Sequence, residues 1–222
     1  MSSILVTGSN NGLGKAIYMA LHAAGHEVMG YDVLNGYDVR TPDINTRQLD
    51  VLINCAGVNG IDMIEDVQDA LWDRVMDTNA RAILKMTQAC LPMLIASRGT
   101  ILNIVSNAAH MPMTSSVCYN ASKAAALMMT KQMARELTRR HGITVFSVSP
   151  NKLRGTEMSR QIDAEVVRTR GWSLEEAQRY QLAGLLSGEE TDPKQVAEFI
   201  AFLLQDKDHH KCLTGCDLQY GL

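Results

Sequence analysis

Residues 4–14 read Ile-Leu-Val-Thr-Gly-Ser-Asn-Asn-Gly-Leu-Gly, and their pattern indicates the class of fold. Residues 4–6 predict a short buried strand, and the residues after the stretch predict a helix. Between them, Gly8, Gly12 and Gly14 let the backbone turn sharply and approach a diphosphate, which a helix N-terminus attracts. Glycines also mark ordinary turns, but at a strand-to-helix junction followed by an acidic strand end they favour a dinucleotide site.

That acid is Asp32, which ends a second predicted strand at residues 28–31. A carboxylate at this position can bind the hydroxyls of the adenosine ribose and repel a 2'-phosphate. The predicted cofactor is therefore NAD, with NADP less favoured. The alternative reading, an ordinary solvent-exposed aspartate at a strand end, stays open at this point.

Short apolar strands alternate with helical patterns along the rest of the chain. Strands are predicted at 50–54, 100–105, 143–148 and 213–219, and helices at 15–24, 66–78, 79–97, 117–140 and 193–204. This alternation predicts an α/β fold, a Rossmann-type doubly wound parallel sheet with helices on both faces. Residues 32–50 are too few for a full crossover, so a shortened one is expected there.

We expect one NAD(P)-binding domain over residues 1–222, because no linker or repeat divides the chain. Residues 155–192 are polar and predict an irregular stretch, which we interpret as a substrate flap at about 156–190.

The composition argues against several classes of protein. A net charge of −3 and a pI near 6.1 give no reason to expect nucleic acid or an anionic membrane as a partner. No apolar run approaches the roughly 20 residues that span a bilayer, and we expect no signal peptide. Five cysteines without a CxxC spacing fit free thiols, so a cytoplasmic location is expected. No metal site is predicted, because the cluster of His209, His210, Cys212 and Cys216 falls in a polar link followed by a terminal strand, which favours a loop.

Tyr119 and Lys123 lie four residues apart in a predicted helix and therefore on one face of it. A nearby ammonium lowers the pKa of a phenol, which can then exchange a proton with a substrate oxygen. Ser106 ends the strand at 100–105 and opens into the crevice where parallel sheets bind ligands, so it can hydrogen-bond a substrate carbonyl. Alone, the Tyr–Lys pair also fits a solvated helix face.

Together these features resemble the short-chain dehydrogenase/reductase family along nearly the whole chain. The elements that carry the resemblance are Thr7–Gly14, Asn54-Cys55-Ala56-Gly57, Asn79, Ser106 thirteen residues before Tyr119, Lys123, Pro150 with Thr156, and Leu213-Thr214-Gly215. The resemblance implies an NAD(P)-dependent oxidoreductase acting on a secondary alcohol or ketone. It also implies a homodimer or homotetramer formed through the helices at 79–97 and 117–140.

The same resemblance implies a catalytic set of Asn79, Ser106, Tyr119 and Lys123. In it, Tyr119 moves the proton, Lys123 also binds the nicotinamide ribose, and Asn79 anchors a water in a proton relay. A side chain that fixes a helix kink is the other reading of Asn79. The predicted cofactor-binding residues are Gly8, Asn10, Asn11, Gly12, Leu13, Gly14, Asp32, Asp38, Val39, Asn54, Ala56, Gly57, Tyr119, Lys123, Pro150, Leu153 and Thr156.

Three departures from the family pattern affect these expectations. The shortening after Asp32 leaves open whether Asp38 still lies near the adenine. Asn151 replaces the usual glycine, and we expect it to keep the turn because Asn tolerates left-handed backbone angles. Cys55 replaces an asparagine and is interpreted as a small packing residue.

The substrate side is less specified. His110 and Met111, between Ser106 and Tyr119, and Met158 in the flap are the candidate substrate contacts, with Trp172 a further one. His110 can be read as a second proton donor or as a plain loop histidine. Two other functions stay open: an epimerase or dehydratase that recycles its NAD, and a non-catalytic NAD-binding sensor or interaction protein.

Overall fold

The computed structural model describes residues 1–206 and 210–221, and within them six parallel strands form one sheet. The strands are β1 (Ser3–Thr7), β2 (Glu27–Tyr31), β3 (Val51–Asn54), β4 (Thr100–Ile104), β5 (Thr144–Pro150) and β6 (Asp217–Tyr220). Their order is β2-β1-β3-β4-β5-β6. Successive strands are added to one side of β1 and then, from β3 onward, to its other side. Ligands bind at the carboxyl ends of the strands beside such a switch in strand order. The predicted doubly wound parallel sheet is confirmed.

Helices cover both faces of the sheet. They are α1 (Gly12–Ala23), α2 (Asp69–Met76), α3 (Ala82–Ser97), α4 (Val117–Met133), α5 (Arg139–His141), α6 (Glu157–Arg170), α7 (Leu174–Ala183) and α8 (Pro193–Leu204). Two π-helical turns, Asp77–Arg81 and Ala134–Thr138, join α2 to α3 and α4 to α5. In the part of the chain that the structure describes, no helix is both long and apolar enough to cross a bilayer.

The sheet is buried because each face packs against its own hydrophobic core. Every residue of β3, β4 and β5 is buried, as expected for central strands covered on both sides. One core joins Leu52 and Ile101 to Met86 of α3. The other joins Ile53 to Ile17 of α1 and to α8. The two layers hold the strand ends, and the loops that follow them, in fixed positions.

The crossover after β2 is short, as predicted. Within residues 33–50, all of which the structure describes, the regular secondary structure is a single 3-10 turn at Val33–Asn35. The Tyr31 hydroxyl accepts a hydrogen bond from the Asp43 amide at 3.0 Å, which fixes the irregular segment against the sheet. As a consequence, β2 is an edge strand.

The prediction of an irregular stretch at 155–192 is wrong, because α6 and α7 occupy most of it. Only Ser159, Asp163 and Val166 of α6 are buried, so the helix carries little hydrophobic periodicity. The capping signals were nevertheless readable: the side chain of Ser173 and that of Glu176 cap each other's backbone amides at the start of α7. The last strand also begins later than predicted, at Asp217.

Candidate functional site

The glycine loop is a close-packed turn that excludes side chains. Gly8 and Gly12 have positive φ angles of 69° and 49°, which favour glycine. A Cβ on Gly14 would lie 2.0 Å from the carbonyl oxygen of Gly8, and a Cβ on Gly8 would lie 2.9 Å from the Cα of Ala56. Gly8 and Gly14 are therefore required by the packing of β1, α1 and the loop after β3, and Gly12 is favoured by its backbone angle.

The N-terminus of α1 has the properties of an anion-binding site. Its N-cap residue, Asn11, makes no side-chain capping hydrogen bond, so the first amides of α1 are not capped by it. The Leu13 side chain is buried in the core. A Cβ on Gly12 would find Thr156 as its nearest neighbour, 3.7 Å away. Uncapped amides at a helix N-terminus favour an anionic group such as a phosphate.

Asp32 is buried, with 7% of its surface exposed, so the reading of it as a solvent-exposed loop residue is wrong. Its two carboxylate oxygens accept hydrogen bonds from the amides of Asn10 at 3.0 Å and Leu34 at 2.9 Å. Asn35 was not singled out from the sequence, yet its side chain pairs with that of Asn10 at 2.9 Å. The structure thus brings Asp32 against the glycine loop.

The start of the loop after β3 is bound by the hydroxyl of Thr7, a residue whose role sequence reasoning did not single out. The Oγ1 atom of Thr7 accepts hydrogen bonds from the amides of Cys55 and Ala56, both at 2.9 Å. Thr7 stands inside the quoted glycine-loop motif, but its partners lie about 48 residues away. The Asn54 side chain instead donates to Asn103 of β4 at 2.8 Å, within the sheet. Burial raises the pKa of the Cys55 thiol to about 12.

Both residues of the Asp38–Val39 step, which the family resemblance relates to the adenine, make contacts within the protein. Val39 is buried in the core beside α3. The Asp38 carboxylate pairs with the Arg40 guanidinium at 2.7 Å, and this hydrogen bond holds the pKa of Asp38 below its ordinary value.

Ser106 and Tyr119 meet at the carboxyl end of β4. Ser106 follows the strand and caps a 3-10 turn at Asn107–Ala109, where its Oγ accepts a hydrogen bond from the Ala108 amide at 3.2 Å. Tyr119 lies in the first turn of α4, close enough to Ser106 for the serine side chain to act on the pKa of the phenol. The two side chains that sequence spacing paired therefore lie near each other.

Lys123 lies one turn further along α4 and is 5% exposed. Its Nζ donates to the Ile104 carbonyl at 3.0 Å and lies 5.7 Å from the centre of the Tyr119 ring. Burial lowers the pKa of Lys123 to about 8. Burial also raises the pKa of Tyr119, an effect that the Ser106 side chain opposes. The expected lowering of the tyrosine pKa by Lys123 is therefore not found, because desolvation of the phenol dominates.

Asn79 ties the loop after β3 to α4. It lies in the π-helical turn between α2 and α3, as the helix-kink reading expects. Its side chain accepts from the Val58 amide at 2.8 Å, and donates to the Val58 carbonyl at 2.9 Å and to the Ser122 hydroxyl at 3.0 Å. Ser122 in turn donates to the Tyr119 carbonyl at 2.8 Å. Sequence reasoning missed Ser122, although it stands between Tyr119 and Lys123.

The loop after β5 is organised differently from expectation. Asn151 does not adopt a left-handed backbone angle. Its backbone amide donates to the Tyr220 carbonyl at 3.1 Å, and its side chain donates to the Gly221 carbonyl. Pro150 is the last residue of β5, and Leu153 forms an isolated bridge with Thr191. The side chain of Asn151, which replaces the family's usual glycine, thus connects this loop to the residue after β6.

The α6–α7 segment contacts loops on two sides of the strand ends. Arg168 donates to the Ile61 carbonyl at 3.2 Å, and Arg170 donates to the Thr114 carbonyl at 2.7 Å. Met158 of α6 is half-buried. Trp172 packs on the Arg170 guanidinium, 4.8 Å from the ring centre, as part of the packing within this segment.

Two further candidates lie in the loop between Ser106 and Tyr119. Met111 is 47% exposed. His110 places its Nε2 atom 2.8 Å from the Asp217 carboxylate of β6.

His210 contacts Thr100 at 2.8 Å, whereas His209 lies outside the described residues. Among the residues that the structure describes, no group of three or more His, Cys, Asp or Glu side chains could hold a metal ion.

Comparison with known proteins agrees with this geometry. The family model of the short chain dehydrogenases matches residues 39–166, which include Ser106, Tyr119 and Lys123 but not the glycine loop. The 3-oxoacyl-(acyl-carrier-protein) reductase of Vibrio cholerae is 28% identical over 90% of this chain and 88% of its own. The 2-(S)-hydroxypropyl-CoM dehydrogenase 3 of Xanthobacter autotrophicus is 31% identical over 80% of this chain and 69% of its own.

A solved structure of actinorhodin polyketide ketoreductase with NADPH has a TM-score of 0.86 and 25% identity, covering 98% of this chain and 95% of that one. A short chain dehydrogenase family protein from Francisella tularensis, 22% identical with a TM-score of 0.82, covers 99% of this chain and 96% of that one and supports the fold. The chain belongs to the short chain dehydrogenases, a family of oxidoreductases that bind nicotinamide cofactors.

Proposed function

We propose that this protein transfers hydride between NAD(H) and a ketone or secondary alcohol, with Tyr119 as the general acid and base. The observation that carries the proposal is that Tyr119, near Ser106, lies beside the buried Lys123, which is bound to the Ile104 carbonyl at the end of β4. In this proposal the glycine loop and the first amides of α1 hold the diphosphate of the cofactor, whose nicotinamide supplies or takes up the hydride.

The protonation state of Tyr119 suits the reduction of a ketone. Burial raises its pKa, so the phenol is protonated at neutral pH and can donate to the developing alkoxide. The Ser106 hydroxyl hydrogen-bonds the same oxygen and orients it. Asn79 donates to Ser122, and Ser122 donates to the Tyr119 carbonyl. These two hydrogen bonds hold the first turn of α4 and fix the direction of the phenol.

The residues around Asp32 favour NAD over NADP. A 2'-phosphate placed beside the buried Asp32 carboxylate would be repelled by it. The sequence holds no Lys or Arg at residues 8–14 or 32–37 to offset that repulsion. The actinorhodin ketoreductase was solved with NADPH, so the preference of this chain has to be measured directly.

The named activities of the relatives define the substrates to test. They include reductases of 3-oxoacyl groups on acyl-carrier protein and an acetoacetyl-CoA reductase from Rhizobium meliloti. We therefore place 3-oxoacyl thioesters first in a panel that also contains simple ketones and, for the reverse direction, secondary alcohols.

Replacing Tyr119 by Phe tests the proposal. Oxidation of NADH and of NADPH is followed at 340 nm across the panel, and NADH binding is followed by fluorescence. We expect the wild type to prefer NADH, and Tyr119→Phe to lower kcat by about 10²–10⁴-fold with NADH affinity unchanged, because only the proton transfer is lost. Tyr18→Phe on α1 is the matched control.

A loss of only a few-fold in Tyr119→Phe would show that another group moves the proton. Tight NADH binding without turnover of any substrate would contradict the proposal and favour a sensor. NAD that co-purifies at one equivalent and is recycled would favour an epimerase or dehydratase.

A further inference from the structure

A buried carboxylate outside the catalytic set contacts the loop that follows Ser106. The Asp217 side chain is 7% exposed and lies at the start of β6. It accepts hydrogen bonds from Ser147 at 2.6 Å and from Ser149 at 2.8 and 2.9 Å. Its Oδ2 atom also lies 2.8 Å from Nε2 of His110.

The two serines hold the carboxylate in place. Ser147 and Ser149 alternate along β5 and therefore face the same side of the sheet, and Asp217 pairs with Ser147 in the strand register. Both serines are fully buried. A buried carboxylate is costly unless its oxygens are hydrogen-bonded, and these hydroxyls satisfy that requirement while leaving Oδ2 directed at His110.

His110 in turn closes the 3-10 turn that Ser106 opens. The His110 amide donates to the Asn107 carbonyl and the Ala109 amide donates to the Ser106 carbonyl, both at 2.9 Å. The turn is one hydrogen-bonded unit with Ser106 at one end and His110 at the other. Fixing the imidazole therefore restricts the orientation of the Ser106 side chain.

The other side of the same loop is held from α4. The Asn120 side chain donates to the carbonyls of Ala108 at 2.6 Å and Met111 at 2.7 Å. Asn120 directly follows Tyr119, so this clamp moves with the phenol. The loop between Ser106 and Tyr119 is thus held from α4 on one side and from β6 on the other.

We propose that Asp217 is a positioning residue that, through His110, keeps the Ser106 turn in register with Tyr119. This role rests on the proposed function, in which Ser106 and Tyr119 hold the substrate oxygen. It assigns His110 to the support of Ser106 and gives it no part in proton transfer.

His110→Leu and His110→Gln form a matched pair, because Gln keeps a donor close to the position of Nε2 and Leu does not. Hydrogen exchange of the peptide covering residues 106–113, measured by mass spectrometry, reports on the turn without any substrate. Steady-state kcat and KM for the best ketone, and the Kd for NADH, report on catalysis and on the cofactor. Asp217→Asn with and without His110→Leu tests whether the two residues act as a unit, and Glu175→Gln, which removes an exposed ion pair with Arg179, is the control.

We expect His110→Leu to speed exchange in this peptide about tenfold and to lower kcat about tenfold, with the NADH Kd unchanged. His110→Gln should stay within about threefold of wild type in both measurements. The double variant should lose no more kcat than the worse single variant, since coupled residues are not additive.

The proposal is overturned if exchange of the peptide in His110→Leu equals that of wild type. It is overturned equally if exchange rises but kcat stays within twofold, or if Gln and Leu behave alike. A wild type without turnover contradicts the proposed function, and Asp217 then loses its role in catalysis. The exchange experiment still decides whether it holds the turn.

Discussion

At the scale of single residues, Lys123 shows how burial tunes the site. Its ammonium is desolvated and donates a hydrogen bond to the Ile104 carbonyl, and burial lowers its pKa to about 8. Burial acts on Tyr119 in the opposite direction, since the charged form of a phenol is the deprotonated one. Burial therefore favours the neutral form of both neighbouring groups, the protonated phenol of Tyr119 and the deprotonated amine of Lys123.

Stability should record the Lys123 shift. The folded pKa is near 8 and the ordinary value is 10.5, so between these values the unfolded chain binds more protons and stability rises with pH. From pH 7 to 9.5, Lys123 should raise the free energy of unfolding by about 2 kcal/mol relative to Lys123→Met. Urea unfolding of both proteins without cofactor, at both pH values, measures the difference. Parallel pH dependence of the two would contradict the lowered pKa.

At the scale of elements, the junction of β1 and α1 is defined by close approach. The carbonyl of Gly8 lies where a Cβ of Gly14 would be, so α1 starts against the turn with no space for a side chain. The segment at 156–190, in contrast, does not depend on close packing. It is held by caps and polar contacts, such as the ion pairs of Lys152 with Asp163 and Glu190, with little core of its own.

Gly14→Ala should therefore displace α1 from the glycine loop. We expect the NADH Kd to rise more than tenfold and the thermal midpoint to fall, because the added Cβ overlaps a backbone oxygen. Gly184→Ala is the control, since its Cβ would meet its nearest atom at 3.5 Å, an ordinary contact. Binding titrations and thermal melts of both variants give the answer. Unchanged NADH affinity in Gly14→Ala would mean that the loop does not hold the diphosphate.

At the scale of the whole molecule, the outer faces of α3 and α4 expose apolar side chains. Leu84 and Ile95 of α3 are 43% and 37% exposed, and Met128 of α4 is 64% exposed. These are the helices through which the family resemblance implies a dimer or tetramer. Isolated exposed apolar residues are common, so the assembly remains a prediction.

Light scattering coupled to size exclusion tests that assembly. We expect the wild type to elute at a multiple of 24.4 kDa, the mass of one chain, and Met128→Lys to shift towards a single chain. A lysine at a packed interface must bury its charge, whereas one on a free surface does not. Leu186→Lys, at an 88% exposed position outside α3 and α4, is the control. A wild type of 24.4 kDa would refute the prediction.

Local patterns in the sequence determined the sheet, the glycine loop and the pairing of Tyr119 with Lys123. Strand periodicity, glycine at a strand-to-helix junction and i, i+4 spacing each depend on residues that are close in the chain. The same holds for Ser106, whose place at a strand end predicts that it faces the crevice. The helices at 156–190 were missed because their polar surfaces lack the apolar period on which such predictions rest.

Contacts between distant segments were decided only by the tertiary structure. Thr7 holds a loop about 48 residues away, and Asp217 reaches His110 across 107 residues. No spacing rule links such pairs, because the strand order of the sheet brings them together. The sign of the Tyr119 pKa shift belongs to the same class. The sequence supplied the neighbouring ammonium, but burial, which only packing creates, raised the pKa.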